Sequence, residues 1–157
     1  MAPESTPGMS ALEEAARALL AVWHRARRTV AGHLSPVQLD AMEVVAARPG
    51  LTLRELADEL RVLPSSASRL CDRLETASLL RRTPARADRR QIALHLTPDG
   101  ADLFNDLHRH RSADLQAVLE HMTGTERTHL QHGLDAFTRH AHNAGRWASR
   151  RRARRSG

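Results

Sequence analysis

The chain has 157 residues, the size of one domain, and its 41% of hydrophobic residues is enough to build a core. Aromatics are only 3%, with no tyrosine, which argues against a protein that holds single strands on aromatic stacking platforms. The 24 basic residues, all arginine, outweigh 18 acidic ones to give a net charge of +6 that favours a polyanionic partner, and a single cysteine excludes an internal disulfide framework.

Residues 1–10, rich in proline, serine and glycine, read as a disordered arm. A first helix is predicted from Ala11 to Gly32. Its apolar positions Leu12, Ala16, Leu19, Trp23, Ala26 and Val30 alternate in steps of four and three, a seam suited to packing on other helices. Ser35-Pro36-Val37-Gln38 is an N-terminal signature for a second helix that ends near Arg48-Pro49-Gly50. Thr52 and Glu55 form a capping box that opens a third helix through Leu60. After a turn at Arg61-Val62-Leu63, Pro64 suits the first position of a fourth, although Leu63 offers no polar cap.

The fourth helix divides into two faces. Ala67, Leu70, Cys71 and Leu74 follow the spacing of a buried stripe. The other surface carries Ser65, Ser66, Ser68, Arg69, Asp72 and Arg73, small hydroxyls and arginines that let a helix lie close to a base-lined groove. Leu79 to Thr83 starts a strand, and Gln91 to Leu96 alternates with period two as a half-buried strand does. Between them, Arg86, Arg89 and Arg90 crowd the turn, and an arginine at such a tip fits a narrow minor groove. Thr97-Pro98 starts a long helix through about His121, and Thr123-Gly124-Thr125-Glu126 caps a last one. That helix repeats Leu130, Leu134, Phe137, Ala141, Ala144 and Ala148 in a four-three rhythm that needs a partner. Residues 149–157 form a basic tail expected to be disordered, either merely solvated or attracting phosphates without reading sequence.

The stretch from Leu51 to Gly100 resembles the MarR (multiple antibiotic resistance regulator) family of winged-helix repressors. The matching residues are Glu55-Leu56-Ala57, Leu74-Glu75, Leu79-Leu80-Arg81-Arg82, and Asp88-Arg89-Arg90 followed by Leu94, Leu96-Thr97 and Gly100. Two positions depart from the pattern: Ser78 stands where the family usually has glycine, and Leu63 replaces a polar cap. The resemblance implies a mainly α fold, a winged helix-turn-helix with a two-stranded β-wing at residues 35–97. Residues 11–34 and 98–148 would form a helical dimerisation region.

The resemblance further implies a homodimer on pseudo-palindromic double-stranded DNA, half-site centres roughly 34–36 Å apart, regulating transcription most simply as a repressor. Ser65, Ser66 and Ser68 would touch phosphates or base edges, Arg69 a guanine, and Arg73 a phosphate. Asp88 would orient Arg90 into the minor groove, with Arg86 and Arg89 on the backbone. A small-molecule effector, if there is one, would sit between the dimer helices and the winged helix, where Trp23, Met42, His110 and Arg111 are the candidate lining.

Rival signals are weaker. His129 with His132, and His108 with His110, each supply two of the three or four ligands a zinc site needs. Cys71 falls on the apolar stripe, where a thiol behaves as a small hydrophobe rather than a redox switch. No phosphate loop, nucleophile elbow or full metal motif is present, so neither an enzyme nor a bound cofactor is expected. A zinc- or redox-responsive regulator of the same fold, or a winged helix that contacts only proteins, are the alternatives. With no membrane-length apolar run and no signal-peptide core in residues 1–10, a cytoplasmic protein without membrane contact is expected.

Overall fold

The computed structural model describes residues 7–85 and 91–153, with side-chain surroundings for residues 8–85 and 91–141. Six helices and one hairpin follow in the order α1 (Pro7–Val30), α2 (Pro36–Ala47), α3 (Leu53–Leu60), α4 (Pro64–Thr76), β1 (Leu80–Pro84), β2 (Ile92–Leu96), α5 (Pro98–Leu119) and α6 (Gly124–Ala153). This is the mainly α, winged-helix architecture expected.

The first and last helices each extend further towards the chain ends than read from the sequence. Helix α1 starts at Pro7 rather than Ala11, because proline is suited to a first helical position and Gly8 and Ser10 fall where helix weakness costs least. Helix α6 runs to Ala153, past the expected start of the tail at 149, since Trp147 to Ala153 contains no glycine or proline and arginine is a good helix former. Residues 1–6 and 154–157 lie outside the described residues.

Two units make up the chain, residues 1–115 and 116–157. In the first, local signals set the helix ends. Ser35 and Gln38 form a capping box, as do Thr52 and Glu55, where the Thr52 N–H donates to Glu55 Oε2 at 2.7 Å. Helices α3 and α4 both end in left-handed residues, Arg61 (φ 55°) and Ser78 (φ 60°). At Ser78 the closing bonds run from the Ser78 N–H to the Glu75 carbonyl (2.8 Å) and from the Leu79 N–H to the Leu74 carbonyl (2.9 Å). That pair of bonds is a Schellman motif, which glycine suits best.

Strands β1 and β2 pair antiparallel, with Leu80 opposite Leu96, Arg81 opposite His95 and Arg82 opposite Leu94. The segment before α3 adds to them. The Gly50 N–H donates to the Leu94 carbonyl (2.8 Å), the Leu94 N–H donates to the Leu51 carbonyl (2.9 Å), and Thr52 bridges Ala93. Gly50 has φ 87°, a turn conformation that a side chain would strain.

The core of this unit joins Leu39, Met42 and Val45 of α2, Leu56 of α3, Leu70, Cys71 and Leu74 of α4, Leu80 and Leu94 of the hairpin, and Leu107 of α5. From α1, Ala26 is buried, but Leu12 at the other end of the predicted seam is 60% exposed. At the junction of α4 and α5 the chain passes very close to itself. The Thr97 hydroxyl donates to the Ser78 carbonyl and accepts from the Gly100 N–H (3.0 Å). A Cβ on Gly100 would lie 2.0 Å from the Leu79 carbonyl oxygen, so only glycine fits.

In the second unit, the Thr123 N–H donates to Glu126 Oε2 (2.7 Å) and the Glu126 N–H donates to Thr123 Oγ1 (3.2 Å), the capping box that opens α6. Leu134 and Phe137 of α6, both on its predicted seam, are exposed.

Candidate nucleic-acid interface

Helix α4 presents the two faces its sequence implies. Ala67, Leu70, Cys71 and Leu74 are buried, whereas Ser65, Ser66, Arg69 and Arg73 are exposed and Ser68 is half-buried. Burying the apolar stripe therefore aims the serines and arginines outward. Ser66, Arg69 and Arg73 line a shallow cleft of about 260 Å³ together with Val37, Val62 and Leu70. At the N-cap, Leu63 makes no side-chain capping bond, which forgoes the roughly 1 kcal/mol that a serine or aspartate supplies there.

Beyond the shared apolar core, Arg82 ties the hairpin to this helix through polar contacts. Arg82 Nη1 donates to Asp72 Oδ1 and to Glu75 Oε2, both at 2.7 Å, and Arg82 Nη2 donates to the Ser68 carbonyl at 3.1 Å. The Glu75 carboxylate also accepts the Arg82 backbone N–H (3.2 Å). Burial alone would pull the guanidinium's pKa down, but the Asp72 and Glu75 carboxylates hold it above the ordinary arginine value. Arg82 is thus a permanent cation committed to the protein.

Sequence reasoning placed Arg82 only in the motif entering the wing and missed this role. The signal was present in Asp72 and Glu75, three residues apart on a helix and hence neighbours on its surface. Asp72, read from sequence as part of the open surface, faces Arg82.

Cys71 is fully buried beside this network. Burial pushes its thiol up, against the opposing pull of the Arg82 guanidinium, so the reactive thiolate is disfavoured. Among the described residues no group of three His, Cys, Asp or Glu side chains is placed to hold a metal ion. Arg86, Asp88, Arg89 and Arg90, the expected wing-tip contacts, lie outside the described residues.

Of the four candidate effector-pocket residues, Trp23 and Arg111 are in contact, Met42 is buried and His110 is exposed. Arg111 is 2% exposed, its Nη2 donates to Glu43 Oε1 at 2.6 Å, and its guanidinium lies over the Trp23 ring, 4.5 Å from the centroid. Met42 is buried in the core. His110 is exposed, with Nδ1 2.9 Å from the Asp106 carbonyl oxygen of its own helix. Adjacent residues on a helix are turned about 100° apart, so burying Arg111 carries His110 into solvent. Glu43 is shared, with Arg27 Nη2 3.8 Å from the same carboxylate oxygen. Arg27 reinforces this corner of the fold with an ion pair to Asp40 at 2.6 Å.

Among the described residues no helix is long and apolar enough to cross a membrane.

Comparison with known proteins agrees with this geometry. The family model described as "MarR family" matches residues 34–91. The HTH-type transcriptional repressor MdtR of Bacillus subtilis is 31% identical over 99 residues, covering 63% of this chain and 64% of the repressor. The chain thus spans a little under two thirds of that relative's length. The crystal structure of RV1404 from Mycobacterium tuberculosis superposes with a TM-score of 0.81 at 31% identity, covering 88% of this chain and 96% of the other. Streptococcus pneumoniae FabT, solved in complex with DNA, has the same fold: TM-score 0.70, 19% identity, 87% of this chain and 95% of that one.

Proposed function

Because the chain belongs to the MarR family, we propose that it is a sequence-specific regulator of transcription, binding double-stranded DNA as a homodimer and acting as a repressor in the cytoplasm. It is not an enzyme; its relatives are named as transcription regulators.

The observation that carries this reading is the exposed edge of α4. Ser65, Ser66, Arg69 and Arg73 stand clear of the core on a helix whose opposite side is fully buried. Arg69, in the second turn, is suited to a bidentate contact with guanine, and Arg73 to a phosphate further along. Ser65, Ser66 and the half-buried Ser68 are assigned to phosphates or base edges. Arg86, Arg89 and Arg90 are assigned to the wing tip, Arg90 in the minor groove with Asp88 orienting it.

Homodimerisation is supported by apolar side chains left in solvent. Met9, Leu12 and Leu20 of α1 and, in the second unit, Leu134 and Phe137 of α6 are all at least 39% exposed. Two copies related by a two-fold axis would read two half-sites about one helical turn apart, and occupancy of a promoter would block polymerase.

The test is fluorescence anisotropy on duplex fragments selected from the genome. Tight binding should fall steeply with salt, with a slope near −0.9 per phosphate contacted. Arg69→Ala should weaken binding and relax preference at one base pair per half-site, by about 1–3 kcal/mol. Binding that ignores salt, or Arg69→Ala with unchanged affinity and preference, would reject the assignment.

A further inference from the structure

Leu63 is 71% exposed, the most open large hydrophobic side chain among the described residues. It stands at the N-cap of α4 in extended backbone (φ −67°, ψ 146°), its carbonyl accepting the Ser66 and Ala67 N–H groups at 2.9 and 3.0 Å. These bonds hold the residue rigidly at the leading end of the helix. Its side chain neither caps the helix nor joins the core cluster. A residue that gives up both stabilising roles marks a place where local fitness has yielded to function.

We propose that Leu63 reads the C5-methyl group of a thymine in the major groove and so fixes a thymine in each half-site. This rests on the DNA-binding reading above. In a helix docked in the major groove the N-terminal residues reach the base edges. The thymine methyl is the apolar mark on those edges and is recognised by apolar contact. Ser65 and Ser66, which follow directly, supply hydroxyls, and Arg69 supplies a guanidinium fork. Leu63 is the apolar member of that exposed edge.

Selection from two random duplex pools tests this, one built with thymidine and one with deoxyuridine, which lacks the methyl. The full-length wild-type protein should enrich a site with a fixed thymine in each half from the first pool. From the second it should recover the same site without that preference. Leu63→Ser introduces a capping hydroxyl, so its thermal midpoint should rise; it should recover the site without that thymine from both pools. In titration, uracil at that position should weaken the wild type about fourfold, the worth of one buried methyl group, and leave Leu63→Ser unchanged. Identical sites from both pools, or a Leu63→Ser protein that keeps the thymine, overturns the assignment of Leu63 alone. If the wild type enriches no site from either pool, the DNA-binding reading fails and this assignment fails with it.

Discussion

Arg69 is exposed on α4, whereas the Arg82 side chain is only 23% exposed and satisfies Asp72, Glu75 and the Ser68 carbonyl. The same residue type therefore serves two ends. On the proposed DNA-binding reading, which gives Arg73 a phosphate, Arg73→Ala should weaken all sequences alike and reduce the salt slope by about one. Arg82→Ala should instead lower stability by roughly 1–3 kcal/mol, because Glu75 loses its counter-ion, and should lower affinity only through a displaced wing. Urea midpoints measured beside anisotropy separate the two.

Arg111 gives a sharper case. Arg111→Ala should cost roughly 2–5 kcal/mol, chiefly by emptying the buried space against Trp23, since Glu43 is a third exposed and keeps Arg27 at 3.8 Å; Arg111→Met, which refills that space, should recover most of it. At this scale the sequence was only partly legible. The split of α4 into apolar and polar faces could be read from spacing. The pairing of Arg111 with Glu43, 68 residues away, could not, since nothing local records which distant carboxylate a buried arginine meets.

At the scale of elements, ends were more legible than contacts, because capping chemistry is written in four consecutive residues. The boxes at Ser35, Thr52 and Thr123 all form as read. The ends of α1 and α6 were misread because weak breakers and an arginine run do not themselves stop a helix.

Two of the boxes also set a pH dependence. The backbone and hydroxyl of Thr52 hold Glu55 below the usual glutamate range, and Thr123 does the same to Glu126. A lowered folded pKa means stability that is fully present above the ordinary glutamate value and is lost as pH falls through the lowered one. Glu55→Gln/Glu126→Gln should therefore flatten the acid limb of the stability curve, read as urea midpoints from neutral pH downward.

The departure from the family pattern at Ser78 has a measurable counterpart. Ser78→Gly should raise stability by about 1 kcal/mol, since serine at φ 60° bears the strain of a left-handed backbone. Gly100→Ala should lower it by about 3 kcal/mol or more, its methyl meeting the Leu79 carbonyl. Thermal unfolding reports both. The glycine and threonine of the motif after the wing were recognisable as a pattern. Their reason, the close pass of α5 over the end of α4, emerges only in three dimensions.

For the whole molecule, the regular seam of α6 signalled a partner without naming it, and the exposure of Phe137 and Leu134 agrees with that signal. On the proposed homodimer, Phe137→Glu should halve the mass seen by light scattering and abolish tight DNA binding, because one subunit contacts half the phosphates. A Phe137→Glu protein that keeps both its mass and its affinity would exclude α6 from the association surface.

The ladder from Gly50 through Leu94 to Leu51 has a mechanical consequence. Through these bonds and Arg82, the end of α2, the start of α3, α4 and the wing's base are coupled as a solid lever. Force applied to that body is passed through these bonds to α4 and the hairpin root together. Amide deuterium uptake at Gly50 and Leu94, whose N–H groups close this ladder, should accordingly be slow.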